Sequence, residues 1–365
     1  MSEPSYATTA LTIDIDAVVA NYRLLADRAR PARCAAVAKA DAYGLGASRL
    51  VPALAAAGCE TFFIATLDEG IAMRALVPQA EIVVLNGPMP GEPTVYREHR
   101  LLPTLNSLGQ VELWSRYCHS EQPLPAAIQL DTGMSRLGLP RDEADTLATE
   151  PDRMAGIPCQ YMMSHLACAD TPDHPLNREQ LARFEGISGR LPPAPRSLAA
   201  SSGIFLGADF LFDLVRPGIC LYGGRPDDSA PNPMRPVVRL TAKILQIRHV
   251  DAPQTVGYGA TYRAAGPTRV ATIAVGYADG YLRSLSGVGE AFIGNTAVPV
   301  IGRVSMDLVT LDVSDVPSAV TGDPVDLIGP MNDVDSVAQR AGTISYEILT
   351  ALGQRHKRSY IGGNA

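Results

Sequence analysis

Lys39 sits in "AVAKADAYGLGA" (residues 36–47), at the point where an apolar run is about to leave the core. A primary amine in that position can serve as a nucleophile toward an aldehyde. Four more polar groups end other apolar runs: Arg136 in "LDTGMSRLG", His165 in "YMMSHLACAD", "SSG" (201–203), and Arg216 with Gly218 in "VRPGICLYG". Taken singly, each has a plainer explanation. A lysine at a strand end snorkels to water, a histidine is satisfied in a core, "RPG" makes a turn and "SSG" caps a helix. Placed together at the ends of five different runs, they favour an active site.

The elements that must position them follow from the apolar pattern. Eight short apolar runs recur: 34–40, 61–66, 81–86, 101–105, 126–131, 159–166, 196–201 and 212–218. Between them lie stretches such as "GASRLVPALAAAG" and "NREQLARFEGISGRL", whose apolar residues repeat at helical spacing. Strand and helix alternating eight times predicts an α/β fold with an N-terminal (β/α)8 barrel of the TIM type. In such a barrel the C-terminal strand ends share one mouth, which is where the polar groups fall. After Gly224 the texture changes. "GRPDDSAPNPMRP" reads as a linker, and the runs beyond it are strand-like with no helices between them, until a short helix near Ile344–Leu352. The expected division is residues 1–230 for the barrel, with the first residues pairing with the C-terminal domain, and 231–365 for a mostly-β domain.

The loops after the seventh and eighth strands of such barrels commonly hold a phosphate on backbone N–H groups. "SSG" and "RPGI" suit that role, since a serine hydroxyl donates and Gly218 permits close backbone approach. An anion seat on one side of the mouth and an amine on the other suggest a phosphorylated aldehyde. Pyridoxal 5'-phosphate is the common cofactor of that kind, a Schiff-base former and electron sink.

Bulk properties exclude other classes. The 365 residues carry a net charge of −7 with no basic block, which disfavours nucleic acid and anionic membrane as partners. No apolar stretch is long enough to span a bilayer, and the N-terminus does not read as a signal peptide. The six cysteines form neither C-x-x-C nor a zinc-ligand spacing, so no metal is expected. They read as reduced thiols of a cytoplasmic protein.

The motifs "AVAKADAYGLGA", "LDTGMSRLG", "SHLACAD", "VRPGICLYG", "VGYGATY", "AVGYADGY", "GRVSMD" and "ISYEILT" together resemble the alanine racemases, barrel-type (fold-type III) pyridoxal-phosphate enzymes, over nearly the whole chain. The resemblance implies a homodimer with shared active sites that interconverts L- and D-alanine by two bases and supplies D-alanine for peptidoglycan. Lys39 would be the Schiff-base lysine and the base for the D-face. Tyr258, from the second subunit, would be the base for the L-face. Racemisation removes a proton on one face of Cα and delivers one on the other, which a single fixed base does not do. By the same resemblance, His165 and Arg216 supply positive charge in a network reaching Tyr258, and Arg216 partners the cofactor ring nitrogen. Arg136 and the Met306 N–H grip the substrate carboxylate. Tyr43, Ser201, Ser202, Gly218, Ile219 and Tyr346 surround the phosphate, and Tyr277 with Tyr346 narrows the entrance.

The sequence departs from the family pattern in places. Gln129 stands where several relatives carry a lysine that becomes carbamylated, Asp41 and Leu45 replace a frequent Asn and His, and Ser305 replaces a frequent cysteine. Ser201 stands where some relatives have Asn. Alternatives remain at this point: a basic-amino-acid decarboxylase on the same two-domain plan, a non-catalytic cofactor carrier, or a racemase preferring serine.

Overall fold

The computed structural model describes residues 7–120 and 123–363. Of these, 18–221 with 225–234 form one unit, and 7–17, 222–224 and 235–363 form another.

The first unit contains eight short parallel strands: Ala36–Val37, Thr61–Ile64, Glu81–Val84, Leu102–Leu105, Ala126–Gln129, Cys159–Met163, Arg196–Ser197 and Leu214–Val215. The first seven pair in sequence order. The eighth pairs in parallel with Arg33–Cys34, just ahead of the first strand. It meets the seventh through an Ala200–Arg216 bridge and the Arg216 N–H, which donates to Ala199 O at 2.9 Å. The ring closes as a barrel. Both faces of its strands are covered, so Thr61–Ile64 and Leu102–Leu105 are buried throughout and read as continuous apolar runs.

A helix follows each of the first six strands: Ala47–Ala56, Leu67–Leu76, Pro93–Glu98, Leu108–Ser120, Arg141–Thr149 and Pro175–Ser188. Their starts are written locally. Thr66 and Glu69 form a reciprocal capping box ahead of Leu67–Leu76, and Pro175 begins the helix capped by His174. The expected eightfold strand–helix alternation stops there. After the seventh strand come only the 3-10 turns Ser202–Phe205 and Ala208–Phe210, and after the eighth Ile219–Tyr222. The connection "SSGIFLGADFLFD" is too short and too glycine-broken for a full helix.

At the N-terminal rim a polar network ties strand starts together. Arg33 donates to Tyr161 Oη at 2.7 Å, Tyr161 Oη to Glu81 at 2.5 Å, and Gln160 to Glu81 at 2.9 Å. Each buried polar atom there has a partner, as burial demands.

The second unit is built around the long strand Val238–Val250, which pairs antiparallel with Thr9–Asp14, Thr268–Ile273 and Pro324–Ile328. Thr9–Asp14 also pairs in parallel with Lys357–Ile361, so the chain's two ends share one sheet. Its alternating burial puts Leu11 and Ile13, both fully buried, on the core face. A helix forms at Ser345–Ala351. A second, Val334–Ala341, was not anticipated from the sequence. Its signals are short but present: Asp333 caps Ser336 N–H at 2.7 Å, Val334, Val337 and Ala338 share the buried face, and Gly342 ends it.

One ion cluster joins three segments of this unit. Arg355 is bidentate to the buried Asp279, at 2.7 and 2.9 Å, and reaches Asp307 at 2.8 Å. Burial works against the Asp279 carboxylate. The Arg355 guanidinium and the Gly276 N–H outweigh it and hold the carboxyl below its usual range. A carboxylate whose folded pKa is depressed stabilises the fold above its unfolded value, near about 4, and loses that contribution as pH falls further. Arg355→Met therefore moves the midpoint of acid unfolding, followed by circular dichroism, to higher pH than in the wild type. Leu11→Ala lowers the stability of the β-unit by about 2–5 kcal/mol in urea denaturation, the usual cost of a core cavity.

Candidate active site

The first strand leaves the barrel through a conformation rare in proteins. Ala40, Asp41, Ala42 and Tyr43 all have φ between 52° and 58°, and Gly44 follows at 80°. A left-handed turn of L-residues costs about 1–2 kcal/mol for each one, so it persists only where its surroundings over-determine it. Gly44 N–H donates to Ala40 O at 2.7 Å, Gly46 N–H to Asp41 O at 2.9 Å, and Ala47 N–H to the Asp41 carboxylate at 2.7 Å. Ala40 N–H donates to Glu69 at 2.7 Å.

The turn points Lys39 and Tyr43 at the barrel mouth. Lys39 is half-buried and is the sole lysine of the barrel unit; the chain has three, and Lys243 and Lys357 are exposed on the β-unit. Burial and the Arg136 charge hold its ammonium below the usual lysine range, and Glu69 opposes them. Tyr43 is buried with its hydroxyl against Gly218, where a Cβ would lie 2.2 Å away. A side chain at position 218 would displace the Tyr43 hydroxyl.

Arg136 projects, exposed, from a loop organised by Asp131, whose Oδ1 accepts the N–H groups of Gly133, Met134 and Ser135 at 2.9–3.1 Å. Gln129 lies at the base of this loop and accepts Leu139 N–H on its backbone oxygen at 2.8 Å. The fully buried Gln180 binds this loop to the sixth strand end. It accepts from Ala167 N–H at 2.8 Å and donates to His165 O at 3.0 Å and Thr132 Oγ1 at 3.3 Å. Sequence reasoning missed Asp131, Gln180 and Glu69. Asp131, two residues before a glycine, carried an Asx-turn signal; Gln180, inside a helix, carried none.

Arg216 is buried at 5% exposure, and its partners are neutral: Ser197 Oγ, Ser164 O at 2.6 Å and the Phe63 ring at 5.8 Å. Burial pushes its pKa down to about 10, so it keeps its charge at neutral pH. His165 behaves otherwise than expected. Loss of hydration and the charges of Arg216, Arg136 and Lys39 push it down to about 3. It is a neutral imidazole in this setting, and the positive charge there belongs to Arg216.

Ser201 and Gly218 are joined, because the buried Ser201 Oγ accepts the N–H groups of Gly218 at 2.9 Å and Cys220 at 3.2 Å. Ser201 thereby sets the shape of the turn. Ser202 and Ile219 each begin a 3-10 turn, the position at which N–H groups have no partner within the helix. The structure thus brings Lys39, Tyr43, Arg136, His165, Ser201, Ser202, Arg216, Gly218 and Ile219 to one rim of the barrel.

The remaining candidates belong to the β-unit. Tyr258 is 72% exposed on a tight turn with Gly257, Gly259 and Ala260 at positive φ, and the Arg303 guanidinium lies over Gly259. Tyr277 and Met306 lie on adjoining loops: Tyr277 N–H donates to Ser305 O and Ala278 N–H to Met306 O, both at 3.0 Å. Gly276 permits that approach, since a Cβ would sit 2.3 Å from both carbonyl oxygens. Tyr346 is part-exposed on the helix Ser345–Ala351.

Residues 13–226 match the alanine racemase N-terminal domain family, and residues 237–360 match the alanine racemase C-terminal domain family. The alanine racemase of Rhodospirillum rubrum is 50% identical, with 99% of this chain and 98% of that protein covered. That of Acidiphilium cryptum is 51% identical, covering 95% and 97%. Among solved structures, the alanine racemase from Bartonella henselae with covalently bound pyridoxal phosphate superposes with a TM-score of 0.94 at 43% identity, over 97% of this chain and all of that one. The biosynthetic alanine racemase from Pseudomonas aeruginosa gives 0.91 at 34% identity, over 98% of this chain and all of that one. Full-length similarity in sequence and fold, over the rim that gathers the amine, the buried arginine and the glycine turn, leads to one conclusion: the chain belongs to the alanine racemase family.

Proposed function

We propose that the protein interconverts L- and D-alanine with pyridoxal 5'-phosphate, using Lys39 and Tyr258 as bases on opposite faces of the substrate. The observation that carries this is the barrel rim itself. Its one lysine, its one buried arginine with neutral partners and the Gly218 turn packed against the Tyr43 hydroxyl converge there. These residues fit the cofactor. A buried cation with neutral partners suits a ring nitrogen, and the Gly218 turn beside Tyr43 and Ser202 suits a phosphate.

When bound, the cofactor supplies the electron sink that makes the Cα proton removable. The chain's residues do the rest. Lys39 Nζ would hold the cofactor through its aldehyde carbon, with loss of water, until the substrate amine takes its place. The freed lysine is an amine whose lowered pKa favours the neutral, proton-accepting form. Tyr258 Oη exchanges a proton on the other face. Arg136 and the Met306 N–H hold the substrate carboxylate, a planar group that a guanidinium matches. Ser202, Ile219, Tyr43, Gly218 and Tyr346 hold the phosphate, with Ser201 orienting the turn. Arg216 does not surrender its proton, so it donates to the ring nitrogen without protonating it, which limits the sink and favours return of the proton over side reactions. Tyr277 and Tyr346 narrow the entrance toward a methyl-sized side chain.

We also propose a homodimer in which each subunit supplies Tyr258 and Met306 to the other. Support comes from the β-unit, where Tyr258, Met306 and Ile344 are large apolar residues more than half exposed, as at a surface that associates. No helix among the described residues is long and apolar enough to cross a membrane. We place the reaction in the cytoplasm as the source of D-alanine for peptidoglycan, in keeping with bacterial relatives, one of them described as biosynthetic.

L-alanine incubated with the protein and pyridoxal phosphate is expected to lose its optical rotation completely while total alanine stays constant. Loss of alanine itself would instead indicate decarboxylation, and a flat trace would overturn the assignment. Lys39→Ala and Tyr258→Phe chains, each inactive alone, are expected to regain roughly a quarter of wild-type activity when mixed and exchanged, because random pairing makes half the dimers hybrid with one intact site. No recovery despite proven exchange would place both bases in a single subunit.

A further inference from the structure

The left-handed turn after Lys39 is fastened from outside by one side chain. Glu69 is the third residue of the helix Leu67–Leu76, where a glutamate ordinarily folds back to cap the helix start. Its Oε2 does so, accepting Ala65 N–H at 2.7 Å and Thr66 N–H at 3.2 Å. The helix has no use for Oε1. That oxygen accepts the N–H of Ala40, the neighbour of Lys39 and the first left-handed residue, at 2.7 Å.

We propose that Glu69 is a positioning residue for Lys39: its carboxylate ties the left-handed turn to the helix after the second strand and faces the lysine with the opposite charge. The inference rests on reading Lys39 as the cofactor-bearing amine. Three charged or titratable groups bear on Lys39: Arg136 from the loop after the fifth strand, His165 from the end of the sixth, and Glu69. Arg136 disfavours the ammonium, His165 is neutral, and Glu69 favours the ammonium. One carboxylate thus fastens the turn from which Lys39 leaves the strand and opposes burial and Arg136 in setting the pH at which the lysine becomes a nucleophile. A merely structural cap would do neither.

The test compares wild-type, Glu69→Gln and Thr66→Val proteins, each full-length and stripped of cofactor. They are labelled with acetic anhydride across a pH range, and acetylation of Lys39 is read by mass spectrometry against the exposed Lys243 and Lys357 in the same digest. Glu69→Gln is expected to move the Lys39 labelling midpoint to lower pH, since the opposite charge that favours the ammonium is removed. Thr66→Val loses the hydroxyl cap but keeps the carboxylate, and is expected to leave the midpoint in place. Superimposable wild-type and Glu69→Gln curves overturn the proposal, as does an equal shift in Thr66→Val. Borohydride reduction of the cofactor-loaded wild type separates this result from the parent reading. A label mapped away from Lys39 sinks the functional assignment. A label on Lys39 with an unshifted Glu69→Gln curve sinks the role of Glu69 alone.

Discussion

Four consecutive non-glycine residues at positive φ after Lys39 are the constraint on which the rest of the site depends. A right-handed turn in the same place would carry Lys39 and Tyr43 in other directions. The hydroxyl that fills the space over Gly218 would then be missing, and with it one contact between the first and eighth strand ends. The cost of the turn is met by neighbours as well as by its own residues. Ala38 is bonded to Phe63 O and Ala40 to Glu69 from outside, while Asp41 accepts from Ala47 within. The local conformation is thus a property of the assembled barrel.

Electrostatics at the same rim are lopsided. Burial, with the charges of Arg216, Arg136 and Lys39 added to it, keeps His165 neutral, and Glu69 is the carboxylate that answers the cations at Lys39. Cations gathered in a half-buried mouth repel one another and attract anions strongly. A phosphorylated cofactor and a carboxylate substrate would both suit such a place, since each brings negative charge. The opposite rim is arranged differently, with Arg33, Tyr161, Glu81 and Gln160 already satisfying one another. One end of the barrel is electrically closed and the other is open.

Much of this was legible in the sequence. The eight apolar runs lie where the eight strands form, because strands covered on both faces need continuous apolar residues. Lys39, Arg136, His165, "SSG" and Arg216 could be placed at one rim by counting strand ends alone. What escaped the reading depends on contacts distant in sequence. Nothing near Gln180 announces that it binds Thr132 and His165, and no local pattern encodes a left-handed turn built from alanines, aspartate and tyrosine. The downward shift of His165 was not legible for the same reason, since it comes from burial first and then from three cations on three other strands. The helix Val334–Ala341 was passed over because eight residues, half of them polar, show barely two turns of periodicity.

The seam between the seventh and eighth strands has a consequence for how the molecule keeps its shape. Both strands are two residues long. They are joined by the Ala200–Arg216 bridge, by Asp213 and Arg216 N–H groups bonding to Arg196 and Ala199, and by the hydroxyls of Ser197 and Ser201. This is the thinnest stitching in the ring, and the Ser202 and Ile219 turns stand on either side of it. An anion held by both turns would span the seam as a rivet spans two plates. Cofactor occupancy and barrel closure would then be thermodynamically linked, making the prosthetic group a structural member of the wall as well as a reagent within it.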